Sequence, residues 1–213
     1  KRTLRTRQRL LAAALARFCS KGFVATTIED ITEQADLGKG TFYRHFTSKE
    51  NILLALAEQT LTQLGAQVQS AVKAPQNLDE ALEGVLAAHA AFFSAHYDEF
   101  MLLFQGQTLV KLERDETNPL EQPFEAYLQV IARQLTPFVS GPLQPATLRR
   151  LVRAVAGFYT GVFAFDVLGV PRREIDKSYE PLRRAMTGAL KELLLEPAAQ
   201  SAPAAAPAPT PQG

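Results

Sequence analysis

The sequence predicts an all-α protein of about nine helices, in which three N-terminal helices precede a larger C-terminal helical bundle. Three observations support this class. Apolar residues recur three and four positions apart along most of the 213 residues, which is the spacing of an amphipathic helix. Almost no segment alternates as a β-strand does. Several segments open with a hydroxyl or amide residue followed three positions later by glutamate, which is the spacing of a helix capping box.

The first predicted helix runs from about Arg5 to Lys21, and Gly22 marks its end. Its buried stripe consists of Leu11, Ala14, Leu15 and Phe18. The basic residues bunched at its start are Lys1, Arg2, Arg5, Arg7 and Arg9. This cluster fits a flexible arm that reaches phosphates and a solvated helix start equally well.

The next segment predicts a short helix that ends in a tight turn. Thr26 or Thr27 can cap this helix, and Thr26 and Glu29 have capping-box spacing. Residues 36–38 (Asp-Leu-Gly) break the helical run, because Asp and Gly both tolerate the left-handed backbone that a sharp turn needs.

A second short helix is predicted from Lys39 to Phe46. Phe42 and Phe46 are four positions apart, so both can anchor this helix inward while the basic and hydroxyl residues face outward. Thr47 and Glu50 then predict a capping box for the helix that follows. The order of helix, turn and short helix is that of a helix-turn-helix, whose second helix lies in the major groove of DNA.

The motif Thr26-Thr27-x-x-Asp30-Ile31-x-x-x-Ala35, followed by Lys39-Gly40-Thr41-Phe42-Tyr43-x-His45-Phe46-x-Ser48-Lys49-Glu50, resembles the DNA-binding signature of the TetR family of bacterial transcriptional regulators. The similarity covers about the first 60 residues. Two positions depart from the family pattern. Asp36 stands where glycine is commoner, and Gly38 stands where a serine or threonine usually caps the recognition helix.

The resemblance implies a set of DNA contacts. The predicted DNA-binding residues are Thr26, Thr27, Lys39, Gly40, Thr41, Tyr43, Arg44, His45 and Lys49. Of these, Tyr43, His45 and Lys49 match positions that contact phosphate. Lys39, Gly40 and Thr41 match positions that approach base edges. Arg44 could pair with a guanine, or it could be an ordinary surface arginine.

Six further helices are predicted after the motif. A long helix from Lys49 to Val72 connects the N-terminal part to the bundle, and Asn77 with Glu80 caps the next helix. The remaining predicted helices are 97–112, 119–135, 146–168 and 179–195, with a linker at 137–145. The domains predicted from this pattern are a helix-turn-helix DNA-binding domain (1–52), a ligand-binding and dimerisation domain (53–196) and a disordered Ala/Pro-rich tail (197–213).

The bundle is rich in phenylalanine, and most of these side chains are expected to be core. A pocket for a small apolar or aromatic effector is implied mainly by the family resemblance. The predicted effector-contacting residues are His89, Phe93, Phe100, Phe104, Tyr127 and Phe158. Gly157 and Gly161 remove side chains from one face of the eighth helix, which suits either packing within the chain or a homodimer formed through the eighth and ninth helices.

Composition and motifs argue against several other functions. No histidine has neighbours at metal-ligand spacing, no catalytic motif is present, and we predict neither an enzyme nor a cofactor. The single cysteine, Cys19, suits a reducing cytoplasm and is expected to be a small core residue rather than a redox sensor. No segment reads as a secretory signal or a membrane span. Ten of the 23 Lys and Arg residues, but only five of the 22 Asp and Glu residues, lie in residues 1–55.

These observations predict a homodimeric, ligand-responsive transcriptional repressor that leaves a palindromic double-stranded operator when its effector binds. The alternative is a DNA-binding structural or cell-division protein on the same scaffold, which acts through a protein partner instead of a metabolite.

Overall fold

The structure is a computed structural model that describes residues 2–103, 121–139, 145–166, 181 and 184–192. The regular elements in these ranges are all helical, so the predicted all-α class is confirmed for the described part of the chain. The elements are α1 (Arg2–Lys21), α2 (Ile28–Gln34), α3 (Lys39–Tyr43), α4 (Lys49–Ala71), α5 (Leu78–Ala95), α6 (residues 97–103), α7 (Glu121–Leu135), a 3₁₀ turn (Thr136–Phe138), α8 (Pro145–Asp166) and α9 (residues 184–192).

The starts of α2 and α4 each lie one residue later than the predicted capping boxes. In α2 the cap is Thr27, whose hydroxyl oxygen accepts from the Asp30 backbone N–H at 3.1 Å, while the Asp30 carboxylate accepts from the Thr27 N–H at 2.7 Å. The predicted box of Thr26 and Glu29 is therefore wrong. Both pairings have the same spacing, so the sequence alone could not choose between them.

In α4 the cap is Ser48, whose hydroxyl oxygen accepts from the Asn51 N–H at 3.2 Å. The predicted box of Thr47 and Glu50 is also wrong. The predicted cap of α5 is confirmed, because the Asn77 side-chain oxygen accepts from the Glu80 N–H at 2.9 Å.

Several predicted helix bounds need correction. The first helix begins at Arg2, so Arg5, Arg7 and Arg9 lie on a regular helix, as the solvated-start alternative expected. The recognition helix is shorter than predicted and ends at Tyr43, while α8 begins one residue early at Pro145. The predicted tail, most of the predicted linker and the predicted helix segments at 104–112, 119–120, 167–168, 179–180, 182–183 and 193–195 lie outside the described residues.

The buried apolar residues of the described chain form two clusters, and these clusters meet within α4. The N-terminal cluster includes Leu10, Phe18, Ile31, Phe42, Phe46, Leu53 and Leu56. The bundle cluster begins at Ala57 and continues through Leu61, Leu64 and Val68 of the same helix. One continuous helix therefore supplies side chains to both clusters. A tilt of α4 would move side chains in both of them. The predicted domain boundary at residues 52–53 stays a prediction.

The bundle packs α4 against α5 and α7, and α8 against α5 and α7. The apolar face of α5 lies in the core, because the side chains of Leu82, Val85, Leu86, His89 and Phe93 are buried. An ion pair between Lys191 and Asp79 links α9 to α5.

A second connection between the clusters comes from α6. Leu102 of this helix is buried in the N-terminal cluster, whereas its neighbour Leu103 is buried in the bundle cluster. Close by, the Cys19 thiol of α1 donates to the carbonyl oxygen of Asp98, with the sulfur 3.6 Å from that oxygen. Cys19 is exposed, so the expectation that it is a core residue is wrong. Desolvation, with the charges of Asp98 and Glu99 adding to it, raises the pKa of the thiol to about 11, which disfavours the reactive thiolate.

Candidate nucleic-acid interface

The recognition helix α3 has only five residues, so tertiary contacts must hold it in place. Phe42 is fully buried and Phe46 is 2% exposed, with 5.8 Å between their ring centroids. The guanidinium of Arg7 lies 5.2 Å from the centroid of the Phe46 ring. The prediction that these two phenylalanines anchor α3 inward is confirmed.

The turn before α3 has the two features that its sequence suggested. Asp36 has a φ of +49°, a left-handed conformation that glycine would adopt at lower cost. Gly38 is the N-cap of α3 and makes no side-chain hydrogen bond, so the expected hydroxyl cap is absent. With a φ of −80°, Gly38 needs no special backbone freedom.

Arg9 of α1 stabilises this turn, a role that the sequence did not reveal. Its guanidinium donates to the backbone oxygens of Ala35 at 2.6 Å and Asp36 at 3.3 Å, and it lies 3.6 Å from the Asp36 carboxylate. These contacts satisfy carbonyl groups at the C-terminal end of α2, which the helix leaves without partners. The contact spans 26 positions of sequence, so no local pattern could have predicted it.

Five of the predicted DNA-binding residues are exposed around α3: Thr27, Lys39, Gly40, Tyr43 and Arg44. Thr41 and His45 are half-buried. Tyr43 is 57% exposed, and its ring meets the Phe42 ring edge-on with 5.5 Å between the centroids. A large aromatic residue that remains exposed beside a buried one is well placed to contact a partner molecule.

The polar groups on this surface differ in the hydrogen bonds and ion pairs that they already make within the protein. The Thr27 hydroxyl both donates to and accepts from Asp30, so it belongs to the cap of α2. The Lys39 ammonium forms an ion pair with Glu29. Arg44 Nε donates to the Gly40 carbonyl oxygen at 3.3 Å and leaves the guanidinium end exposed.

An ion pair between Lys21 and Asp30 also stabilises the cap of α2. The Lys21 ammonium, which donates to the Asp30 carboxylate at 2.8 Å, holds the pKa of that carboxyl well below its usual range, and the bonds from Thr27 lower it further. Asp30 is therefore charged at neutral pH and contributes to the local fold.

Two predicted DNA contacts need correction. The Thr26 side chain is 1% exposed, and its hydroxyl donates to the backbone oxygen of Gly22 at 2.6 Å, so it braces the loop before α2 and does not face a partner. The Lys49 ammonium donates to three backbone oxygens, those of Phe23 at 2.8 Å, Val24 at 3.2 Å and Thr26 at 2.8 Å.

These three bonds use every N–H donor of the Lys49 ammonium. The ammonium also lies 4.5 Å from the centroid of the Phe23 ring, within the range of a cation–π interaction. Lys49 therefore fastens the start of α4 to the loop between α1 and α2. A direct phosphate contact by this ammonium would require breaking these bonds.

In the bundle, four of the predicted effector residues lie together. The His89 ring centroid is 6.0 Å from that of Phe93 and 5.9 Å from that of Tyr127, and Phe93 is 4.5 Å from Phe100. All four are buried, so the described structure brings them together as packed core. Phe158 is half-buried and packs against the bundle cluster, and Phe104 lies outside the described residues.

The polar atoms within this aromatic cluster are hydrogen-bonded. His89 Nδ1 lies 2.6 Å from the Val85 carbonyl oxygen, which can only accept, so Nδ1 carries the proton. Nε2 of the same ring then accepts from the Tyr127 hydroxyl. Desolvation lowers the pKa of His89 to about 4, so the ring is neutral at pH 7. Burial also raises the pKa of Tyr127 well above its usual range, which keeps the hydroxyl protonated.

A groove of about 290 Å³ lies between α7 and α8, and none of the predicted effector residues that the structure describes lines it. Its walls are Glu125, Leu128, Gln129, Ala132, Leu148, Arg149 and Val152. On α8 itself, a Cβ built on Gly157 or Gly161 would meet no heavy atom within 4 Å. The two glycines therefore provide no close packing within the described chain.

The part of the chain that the structure describes contains no group of three or more His, Cys, Asp and Glu side chains able to hold a metal ion. None of its helices is long and apolar enough to cross a membrane.

Comparisons with known proteins agree with this geometry. Residues 10–56 match the family model described as bacterial regulatory proteins, tetR family. The chain is 26% identical over 176 residues to the uncharacterised HTH-type transcriptional regulator YvdT of Bacillus subtilis, covering 79% of this chain and 90% of that protein. It is 32% identical over 96 residues to the HTH-type transcriptional repressor KstR2 of Mycobacterium tuberculosis, covering 45% and 48% of the two chains.

The fold is shared with a transcriptional regulator FadR from Bacillus subtilis, whose crystal structure was determined in complex with stearoyl-CoA. The TM-score is 0.65 with 18% sequence identity, and the alignment covers 88% of this chain and 97% of that one. The exposed recognition helix, its two buried anchors and these matches lead to one conclusion. Residues 10–56 form the helix-turn-helix DNA-binding domain of the tetR family of bacterial regulatory proteins, and over most of its length the chain is similar to transcriptional regulators of this kind.

Proposed function

We propose that this regulator is a ligand-responsive repressor, a homodimer that leaves a palindromic operator when a small apolar or aromatic molecule binds its C-terminal bundle. The observation that carries the DNA-binding part is the exposed surface of α3, where Lys39, Tyr43 and Arg44 surround Gly40 on a helix anchored from behind. Cationic and hydroxyl groups at this position suit contacts with phosphates and base edges.

We assign the DNA contacts to a smaller set than the sequence suggested. Lys39, Gly40 and Thr41 approach base edges, and Tyr43 and His45 contact phosphate. Arg44 has the exposed guanidinium that a guanine contact needs. Thr26 and Lys49 hold the domain together, so their loss would weaken DNA binding through the fold.

Dimerisation through α8 and α9 follows from two considerations. Among the described residues, no heavy atom lies within 4 Å of a Cβ built at Gly157 or Gly161, which leaves room for a helix of a second copy to approach closely. A recognition helix of five residues also reads few base pairs, and a symmetric pair doubles that information.

The effector is proposed to bind at or beside the aromatic cluster of His89, Phe93, Phe100 and Tyr127. An apolar surround with one hydrogen-bonded polar pair is the composition of many small-molecule sites. The stearoyl-CoA bound by the FadR protein shows that the shared fold accommodates a ligand with a long apolar acyl chain in that protein. Because the described cluster is packed, an effector would have to displace some of these side chains.

Release from DNA is proposed to act through α4, which supplies side chains to both buried clusters. Two recognition helices match successive major grooves only when they are about 34 Å apart. A tilt of α4 in each protomer changes that separation, so operator affinity falls without loss of any single contact. We place the protein in the cytoplasm with the DNA, acting by binding and not by catalysis.

The test begins with the operator. The purified full-length protein is used to capture genomic DNA fragments, and the bound fragments define the operator. The protein is then titrated with a panel of aromatic compounds, fatty acids and acyl-CoA esters. The proposal expects a compound that raises the melting temperature and lowers operator affinity over the same concentration range.

A Tyr43→Ala variant provides the control, because it should lose operator binding and keep the thermal shift. Operator binding that is indifferent to the whole panel, together with a protein partner that co-purifies and alters it, would instead favour a structural or cell-division role.

A further inference from the structure

The ion pair between Glu29 and Lys39 joins the starts of the two helices that form the DNA-binding motif. Glu29 is the second residue of α2, and Lys39 is the first residue of α3. Their side chains are 50% and 54% exposed, so the pair lies at the surface. The carboxylate of Glu29 therefore stands beside an ammonium that we assign to base edges.

Neither partner is needed to cap its own helix. The cap of α2 is already complete, because Thr27 and Asp30 bond reciprocally. A lysine at the N-terminus of α3 is unfavourable, because that end of a helix carries partial positive charge. The pair thus leaves one exposed donor group and one exposed acceptor group side by side, both available to a third molecule.

We propose that Glu29 is a specificity-determining residue that reads a G·C base pair together with Lys39. In this arrangement Lys39 donates to O6 or N7 of guanine, and Glu29 accepts from the N4 amino group of the paired cytosine. The inference rests on the proposed docking of α3 in the major groove.

The chemistry of the groove supports this assignment. A G·C pair presents two acceptors on guanine and one donor on cytosine along its major-groove edge. An ammonium and a carboxylate held side by side present the complementary set. Where the base pair places its amino donor at a different point, the carboxylate loses water without a replacement hydrogen bond and lies among phosphates of its own charge. Glu29 should therefore reject the wrong base pair as well as accept the right one.

The experiment selects binding sites from randomised DNA duplexes with four full-length proteins: the wild type, Glu29→Gln, Lys39→Gln and the matched control Glu33→Gln. Glu33 is an exposed glutamate on the same helix and forms no ion pair with any described residue. A palindromic consensus from the wild type tests the docking of α3 by itself. Absence of any consensus would reject that docking, whatever the variants do.

Given a wild-type consensus, Glu29→Gln and Lys39→Gln should both relax the same G·C position in each half-site. The expected loss of discrimination there is roughly tenfold to a hundredfold. Glu33→Gln should leave every position unchanged. A Glu29→Gln protein that keeps full preference at the position relaxed by Lys39→Gln would overturn the inference.

A Glu29→Asp protein separates base reading from general repulsion. It keeps the negative charge but is one methylene shorter, so the carboxylate no longer reaches the same point. The inference expects relaxed preference at the G·C position and an unchanged salt dependence of binding. If Glu29→Asp retains the wild-type preference, Glu29 acts only as a surface charge and the inference is wrong.

Discussion

The hydroxyl of Tyr127 in α7 donates a hydrogen bond to Nε2 of His89 in α5, and the Nδ1–H of the same ring donates to the Val85 carbonyl oxygen. The two bonds fix the imidazole in one tautomer and connect two helices inside the bundle. Both side chains are buried, so neither polar group can turn to water if its partner is lost. The pair is therefore expected to contribute to stability as a unit.

Tyr127→Phe should lower the free energy of unfolding by about 1–3 kcal/mol, because it leaves His89 Nε2 buried without the hydroxyl that donates to it. Urea denaturation at pH 7 measures the change. Tyr43→Phe is the matched control, because the Tyr43 ring is 57% exposed and its replacement should change little. Equal stability of Tyr127→Phe and the wild type would show that the bond is not formed in solution.

The neutral His89 also predicts a pH dependence. The pKa of His89 is lowered from 6.5 to about 4 by desolvation, so between these values the unfolded chain binds a proton that the folded chain does not. The free energy of unfolding should therefore fall as pH decreases from 6.5 to 4, by roughly 3 kcal/mol at most. Denaturation curves of the wild type and His89→Gln across this range isolate the effect. A constant difference between the two proteins would mean that His89 does not titrate as its burial requires.

The class of the fold and the position of the DNA-binding motif could be predicted because they depend on local patterns. The spacing of Phe42 and Phe46 and the break at residues 36–38 are visible within a few positions of sequence. The sequence left Thr26 and Thr27 as alternative caps of α2, since both carry a hydroxyl. Which of the two is buried depends on α1, whose Arg17 carbonyl oxygen accepts from Thr26 at 3.2 Å.

The contacts that could not be predicted are those between residues far apart in sequence. Arg9 reaches Ala35 and Asp36, and Lys49 reaches the loop that begins at Phe23. A surface lysine beside a recognition helix has the same local sequence whether it contacts phosphate or its own backbone. Only the folded arrangement shows that the Lys49 ammonium has three protein acceptors.

Lys49→Ala should destabilise the N-terminal domain, because the carbonyl oxygens of Phe23, Val24 and Thr26 lose their charged donor. We expect a loss of about 1–3 kcal/mol in the free energy of unfolding, measured by chemical denaturation. At a temperature where the variant is folded, the dependence of DNA affinity on salt should match that of the wild type. Lys39→Ala should show the opposite pattern, with near-normal stability and a loss of preference at the base pair that Lys39 contacts. A reduced salt slope for Lys49→Ala would instead show that this ammonium contacts phosphate.

The two glycines around the start of α3 should respond differently to substitution. A Cβ at either Gly38 or Gly40 meets no heavy atom within 4 Å, so neither substitution is blocked by the protein itself. Gly38→Ser adds the missing cap hydroxyl and should raise the free energy of unfolding by a few tenths of a kcal/mol or more.

Gly40→Ala should raise the free energy of unfolding by up to about 1 kcal/mol, because alanine favours the helix. The same substitution should weaken DNA binding, because the new methyl group enters the groove. Thermal unfolding and operator titration of both variants provide the comparison. Unimpaired DNA binding by Gly40→Ala would show that the backbone does not approach the bases at this point.

The neighbouring leucines of α6 offer a test of how the bundle communicates with the DNA-binding domain. Leu102 is 4% exposed and belongs to the N-terminal cluster, whereas Leu103 is 8% exposed and belongs to the bundle cluster. Truncation of either to alanine should cost about 2–5 kcal/mol, because each leaves a cavity in a packed core. The two variants differ in which helices lose local stability. Hydrogen exchange followed by mass spectrometry should show faster exchange in α1 to α3 for Leu102→Ala, and in α5 and α7 for Leu103→Ala. Because α6 touches both clusters, a change in the bundle can reach the DNA-binding domain through Leu102 as well as through α4. Identical exchange patterns in the two variants would mean that the clusters unfold as one unit, and that α6 provides no separate connection between them.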